Sequence, residues 1–145
     1  MEIIDGLRVE EIICLQLVYG DDFVECVERA AADKGIHSGV VVSGVGTFDR
    51  ARIHYIKHTQ FPAEDVFAEL EGPIELCSVQ GVIAGGVPHL HGTLAARGGE
   101  MLCGHLEKGC RILYLGEVVI ARLGGRRLTR TRHPRYGTPC LSAED

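Results

Sequence analysis

The sequence has no tryptophan, two methionines and 6% aromatic residues, so its 46% hydrophobic content is chiefly aliphatic. No apolar run approaches the ~18 residues of a membrane-spanning helix, because charged or turn residues interrupt every stretch. The opening MEIIDGLRVEE is acidic where a secretory signal is basic and then apolar. These absences point to a soluble, cytoplasmic protein with no membrane partner. No C-x-x-C pair occurs among Cys14, Cys26, Cys77, Cys103, Cys110 and Cys140, and a chain of this length folds on its core without covalent staples. Lying mostly in apolar segments, the thiols read as small buried hydrophobes.

A basic surplus is also missing. Residues 1–120 carry 18 acidic and 9 basic side chains, a net of −9. Residues 121–145 reverse the sign, with Arg122, Arg126, Arg127, Arg130, Arg132 and Arg135 against Glu144 and Asp145. A body this acidic repels a phosphate backbone, and an isoelectric point near 5.8 lies well below the usual nucleic-acid footprint. DNA binding is therefore expected to be weak or absent, with the Arg-rich tail as its sole route.

What is present fits one domain, since 145 residues is close to the typical domain size. The mean hydropathy of +0.10 is high for a chain with few aromatics and indicates a generous core or a buried subunit interface. Residues 7–18, rich in β-branched side chains, predict a strand. A helix is predicted from GDD at 20–22 to about Lys34. Asp21 or Asp22 caps it, Glu25 is placed for a capping-box contact, and Phe23, Val27 and Ala30 or Ala31 form its apolar stripe. Gly35 supplies the stop. Strands follow at 39–45, 48–57, 66–71, 74–84, 88–96, 99–103 and 111–123, with Gly98-Gly99 as a hairpin turn. The pattern predicts an α+β fold: a mainly antiparallel sheet with one principal N-terminal helix, in a single domain over 5–123. From 124 to 145 Gly, Arg and Pro predominate, and order is expected to decline.

The Gly44/Gly46 pair lacks the third Gly or the GK[ST] of a nucleotide loop and leads into a strand rather than a helix, so it reads as a tight turn or bulge needing positive φ. His89-Leu90-His91 carries more. In a strand, residues two apart project to one face about 7 Å apart at the backbone, so both imidazoles can reach one ion. His105 follows beyond the predicted hairpin, which can return it beside them. Three neutral imidazoles suit a divalent metal, zinc above all, and a fourth position left to water is the arrangement of catalytic zinc. The bland alternative is that these histidines hydrogen-bond within a sheet. His54 and His58, four apart in a strand, read as surface or packing residues. His37 and His133 fall in loops. Glu75 and Glu117, each inside an apolar strand, need a partner and are candidate acid–base groups.

The segments SGVGTFDRARIHY (43–55), GPIELCSVQGVIA (72–84), PHLHGTLAARGGEMLCGHLEKGC (88–110) and GEVVIARL (116–123) resemble the plant and prokaryote conserved (PPC) domain. The most specific match is P-H-x-H followed by G-H-L-x-x-G-C, met by Pro88, His89, His91, Gly104, His105, Leu106, Gly109 and Cys110. One departure is Cys103 before Gly104, where the family often has a second Gly. The resemblance implies an α+β homotrimer with a metal on His89, His91 and His105. It also brings a DNA-binding association, which in plants comes with AT-hook segments; no Arg-Gly-Arg core flanked by Pro occurs here. The fold is similar to that of the zinc enzyme acetolactate decarboxylase, an analogy that points to a small-molecule ligand at the metal. Three functions follow as expectations: a trimeric metal-binding protein, a zinc-dependent lyase or hydrolase on a small carbonyl or carboxylate substrate, and a DNA-associated regulator using the tail.

Overall fold

The computed structural model describes residues 1–144. Its elements are β1 (Leu7–Val18), α1 (Phe23–Asp33), β2 (Ser38–Ile56), β3 (Asp65–Ala84), β4 (Val87–Ala96), β5 (Met101–Leu106), β6 (Arg111–Gly125), β7 (Arg127–Arg132) and β8 (Pro139–Glu144). Six strands form one antiparallel sheet in the order β1-β6-β2-β3-β4-β5, and β7 and β8 form a separate hairpin. Among the described residues, no helix is long and apolar enough to cross a membrane.

Helix α1 starts where Asp22 Oδ1 accepts the Glu25 N–H at 3.0 Å, and it ends before Gly35 at φ +61°. Phe23, Val27 and Ala31 turn inward, and Phe23 meets Phe48 edge to face with ring centroids 5.8 Å apart. Both rings are fully buried, each worth about 1.5–3 kcal/mol of transfer free energy. The helix covers one face of the sheet, where Ile13, Leu17, Leu76, Leu94, Ile112 and Ile120 alternate inward from their strands. The other face is more open: Ile12, Val18, Val45 and Leu115 point outward.

Two expected pairs of strands are each continuous, because β2 and β3 run on through register shifts at Phe48/Arg50 instead of breaking. Gly44 and Gly46 corroborate the bulge but not the dihedral expected of them. Register shifts in the β2–β6 pair lie on either side of this pair of glycines, at Val41/Ser43 and Gly46/Phe48, yet neither glycine has positive φ. Their role is close approach: a Cβ on Gly44 would collide with Val79 Cγ1, and one on Gly46 would lie 2.7 Å from the Leu115 carbonyl oxygen. Gly98 and Gly99 do turn the β4–β5 hairpin, at φ +96° and +86°.

Two expectations need correction. Four thiols, Cys14, Cys77, Cys103 and Cys140, are exposed because their strand positions face outward; Cys26 and Cys110 alone are buried. Within the segment after 124, Arg127–Arg132 and Pro139–Glu144 are strands rather than loop. The alternation R-L-T-R-T-R makes β7, with Leu128 buried, its N–H donating to Ser38 Oγ at 2.8 Å and its carbonyl accepting from Gly85 at 2.8 Å. Asp145, the end of that segment, lies outside the described residues.

The sheet also closes on itself. Besides β3 and β6, the far end of β2 pairs with β5 through Ile53↔Leu106 and His54↔His105. This short seam curls the β2–β3–β4–β5 end into a barrel-like corner, and the histidines gather there.

Candidate metal centre

Three strands bring the imidazoles to one place. His91 on β4 sits directly across from His105 on β5, and His105 across from His54 on β2. His89 lies two residues along β4 and so shares the face of His91. One donor atom from each of His89, His91 and His105 falls within 4.8 Å of the others. The Nε2 atoms of His89 and His91 are 3.3 Å apart, while a tetrahedral zinc with Zn–N of about 2.0–2.1 Å sets its ligand atoms about 3.3–3.4 Å apart. The donor set therefore fits a divalent ion. A further sign is His105 Nδ1, which is buried without a hydrogen-bond partner.

Electrostatics keep the cluster ready for a cation. Burial, followed by the charges of His54 and His89, pushes His105 down to about 4. Burial also lowers His89, with Arg130 and His91 adding to it. Both are thus neutral near pH 7, the state that ligates metal.

Two residues that the sequence reading did not select complete the surroundings. His54 stacks on His105 with centroids 4.5 Å apart, and its Nδ1 lies 2.7 Å from Glu107 Oε1. His54, His105 and Glu107 form a second potential ligand group that shares His105. The two-residue spacing of Glu107 from His105 was a visible signal; the β2–β5 seam that delivers His54 was not. His58 is apart from the cluster, with Nε2 3.6 Å from Glu64.

Glu75 and Glu117 are not brought to the cluster. Both are exposed on the sheet, Glu75 opposite Thr47 and Ala95, Glu117 opposite Gln16 and Val45. Ala95 is four residues beyond His91, roughly 13 Å along the strand. The carboxylates that do reach the site are Glu107, already described, and Asp65, 3.9 Å from His54 Nε2.

A cavity of about 1050 Å³ opens over the histidines. Its floor is His54, His89, His91 and His105, and its far wall is the β7–β8 hairpin, with Arg130, Arg132 and Tyr136. Tyr136 stacks on Phe61 at 4.5 Å, holding the hairpin turn against the β2–β3 connection. Asp22 steadies the other side. Its Oδ2 accepts the Gly109 N–H at 2.6 Å while Oδ1 caps α1, which ties the turn after His105 to the helix.

The chain belongs to the Plants and Prokaryotes Conserved (PCC) domain family, whose model matches residues 5–124. It is similar to the metal-containing protein AF0104 from Archaeoglobus fulgidus, at 29% identity and a TM-score of 0.83, covering 98% of this chain and 99% of that one. A Bacteroides thetaiotaomicron structure, provisionally named a DNA-binding protein, shares the fold at 19% identity and a TM-score of 0.79, covering 95% and 98%. The bifunctional protein GlmU of Synechococcus sp. (strain JA-2-3B'a(2-13)) is 29% identical over 127 residues, 88% of this chain. The match spans 19% of that curated relative's length.

Proposed function

We propose that this chain is a metal-binding member of its family that holds one divalent ion, zinc by its donor set, on His89, His91 and His105, and that it acts as a homotrimer. The observation that carries the reading is the paired-strand placement of His91 and His105 with His89 Nε2 3.3 Å from His91 Nε2. The metal-containing character of the Archaeoglobus relative supports it. The outward Ile12, Val18, Val45 and Leu115, together with exposed Val9 and Val42, support a trimer interface. Elemental analysis after mild dialysis should find close to one zinc per chain, and His91→Ala should lose it. Metal-free protein that takes up no added zinc would overturn the reading. Light scattering should give a mass near three chains, against a monomer.

The cavity favours a second reading, a zinc-dependent lyase or hydrolase on a small carbonyl or carboxylate substrate. Held by His89, His91 and His105, an ion would supply Lewis acidity and make water a better nucleophile near neutral pH. The residues of this chain that would move a proton there are Asp65 and the His54–Glu107 pair, in place of Glu75 and Glu117.

For DNA, the name given to the Bacteroides protein stands against this chain's acidic body. We propose weak, sequence-independent association, no tighter than ~10⁻⁵ M at physiological salt. Anisotropy titrations on A·T-rich and mixed duplexes test it; nanomolar, A·T-selective binding would restore a DNA-directed role.

A further inference from the structure

The hairpin that walls the cavity brings in charge that the histidines do not need. Arg130 and Arg132, two apart on β7, share a face, and both line the cavity. Arg132 is partly engaged, since its Nη1 donates to the Gly137 carbonyl at 2.8 Å. Arg130 is half-buried and, among the described residues, has no hydrogen bond or ion pair. Among the described residues, the one carboxylate on the lining, Asp65, faces His54. Two guanidinium groups against one carboxylate leave the lining cationic before any metal is counted. Around them Ile56, Val87 and Pro88 make an apolar wall.

We propose that Arg130 is the anchor of a ligand site for a small organic monocarboxylate. The ligand's carboxylate sits on the guanidinium fork of Arg130, its apolar body lies along Ile56, Val87 and Pro88, and it reaches toward the histidine cluster. A carboxylate fits better than a phosphate. The fork of Arg130 matches one planar two-oxygen edge, and the apolar wall beside it suits a ligand with an apolar body, which inorganic phosphate lacks. The volume lies at the upper end of the range of small-molecule sites, where a few polar groups orient a mostly apolar ligand. The inference deepens the metal-centre reading and rests on it for what the ligand's far end meets.

The test is calorimetric titration of the zinc-treated full chain with pentanoate and, separately, inorganic phosphate, at constant ionic strength. Pentanoate should bind, Arg130→Gln should weaken it at least tenfold, and Arg130→Lys should recover part of the loss as a point charge. Zinc stoichiometry, unchanged in both variants, shows that they fold and hold metal. Equal pentanoate affinity in wild type and Arg130→Gln would overturn the anchor, as would tighter binding of phosphate than of pentanoate. Zinc binding without Arg130-dependent pentanoate binding sinks this inference alone. Arg130-dependent pentanoate binding in a protein that takes up no zinc sinks the metal reading and keeps the anion site.

Discussion

His54 lies on the ring of His105 with centroids 4.5 Å apart and planes 28° from parallel, although the two belong to strands far apart in the chain. Its own ring is clamped by Glu107 at Nδ1 and by Phe67 at 5.4 Å. His54 therefore acts as a positioning residue for His105, fixing the plane of the imidazole it packs on. Outer-shell partners of metal ligands are worth roughly 10–100-fold in affinity. His54→Ala should weaken zinc binding by about tenfold, measured by competition with a chromogenic chelator, and His54→Phe, which keeps a ring there, should lose less. Equal affinity in all three proteins would contradict the role.

The metal-free protein should lose stability in mild acid. His105 titrates at about 4 when folded and near 6.5 when unfolded. Between these values the unfolded chain holds the extra proton, so the stabilisation is present above about 6.5 and is lost as pH falls toward 4. His89 shifts in the same direction. The melting temperature of chelator-treated wild type should fall across this window, and His105→Phe should fall less steeply. Parallel slopes would rule out His105 as a source.

Thiol chemistry should divide the six cysteines. Burial pushes Cys110 up to about 11, and its Sγ donates to the Arg52 carbonyl at 3.4 Å. Burial also raises Cys26, with Asp21 adding to it. Iodoacetamide at pH 8 followed by mass mapping should label Cys14, Cys77, Cys103 and Cys140 in native protein, leaving Cys26 and Cys110 until denaturant is added. Prompt labelling of Cys110 would contradict its placement.

Gly44→Ala should destabilise the fold without touching the histidines. The added methyl meets Val79 Cγ1 and lies 3.5 Å from Phe23, at the packing of helix on sheet. Overpacking of this kind costs about 1–3 kcal/mol. A lowered denaturation midpoint with unchanged zinc stoichiometry is the expected outcome; an unchanged midpoint would show that the neighbours yield freely.

How legible this was depends on distance along the chain. The helix was readable because its cap, stripe and stop are all local: Asp22, then Phe23, Val27 and Ala31, then Gly35. The grouping of His89, His91 and His105 was readable for the same reason, since one hairpin carries all three. His54 was not, because the two-residue seam with β5 leaves no periodic trace in β2. Glu75 and Glu117 misled because an acidic residue in an apolar strand suggests a buried partner, whereas both face outward where no such partner is required. In the tail, Arg and Pro content masked an alternation around a single buried Leu128.

The confinement of all three imidazoles to residues 89–105 has a thermodynamic consequence. An ion held there clips a short loop that the β4–β5 hairpin already closes, so it removes little freedom from the rest of the unfolded chain. The same hairpin, transiently formed in the denatured ensemble, offers the ion a foothold there too, which erodes the advantage that binding gives the native state. Chelation should therefore loosen the amide protons of β4 and β5 toward exchange while shifting global unfolding little. The ion would tune one corner of the molecule, and the fold would stand without it.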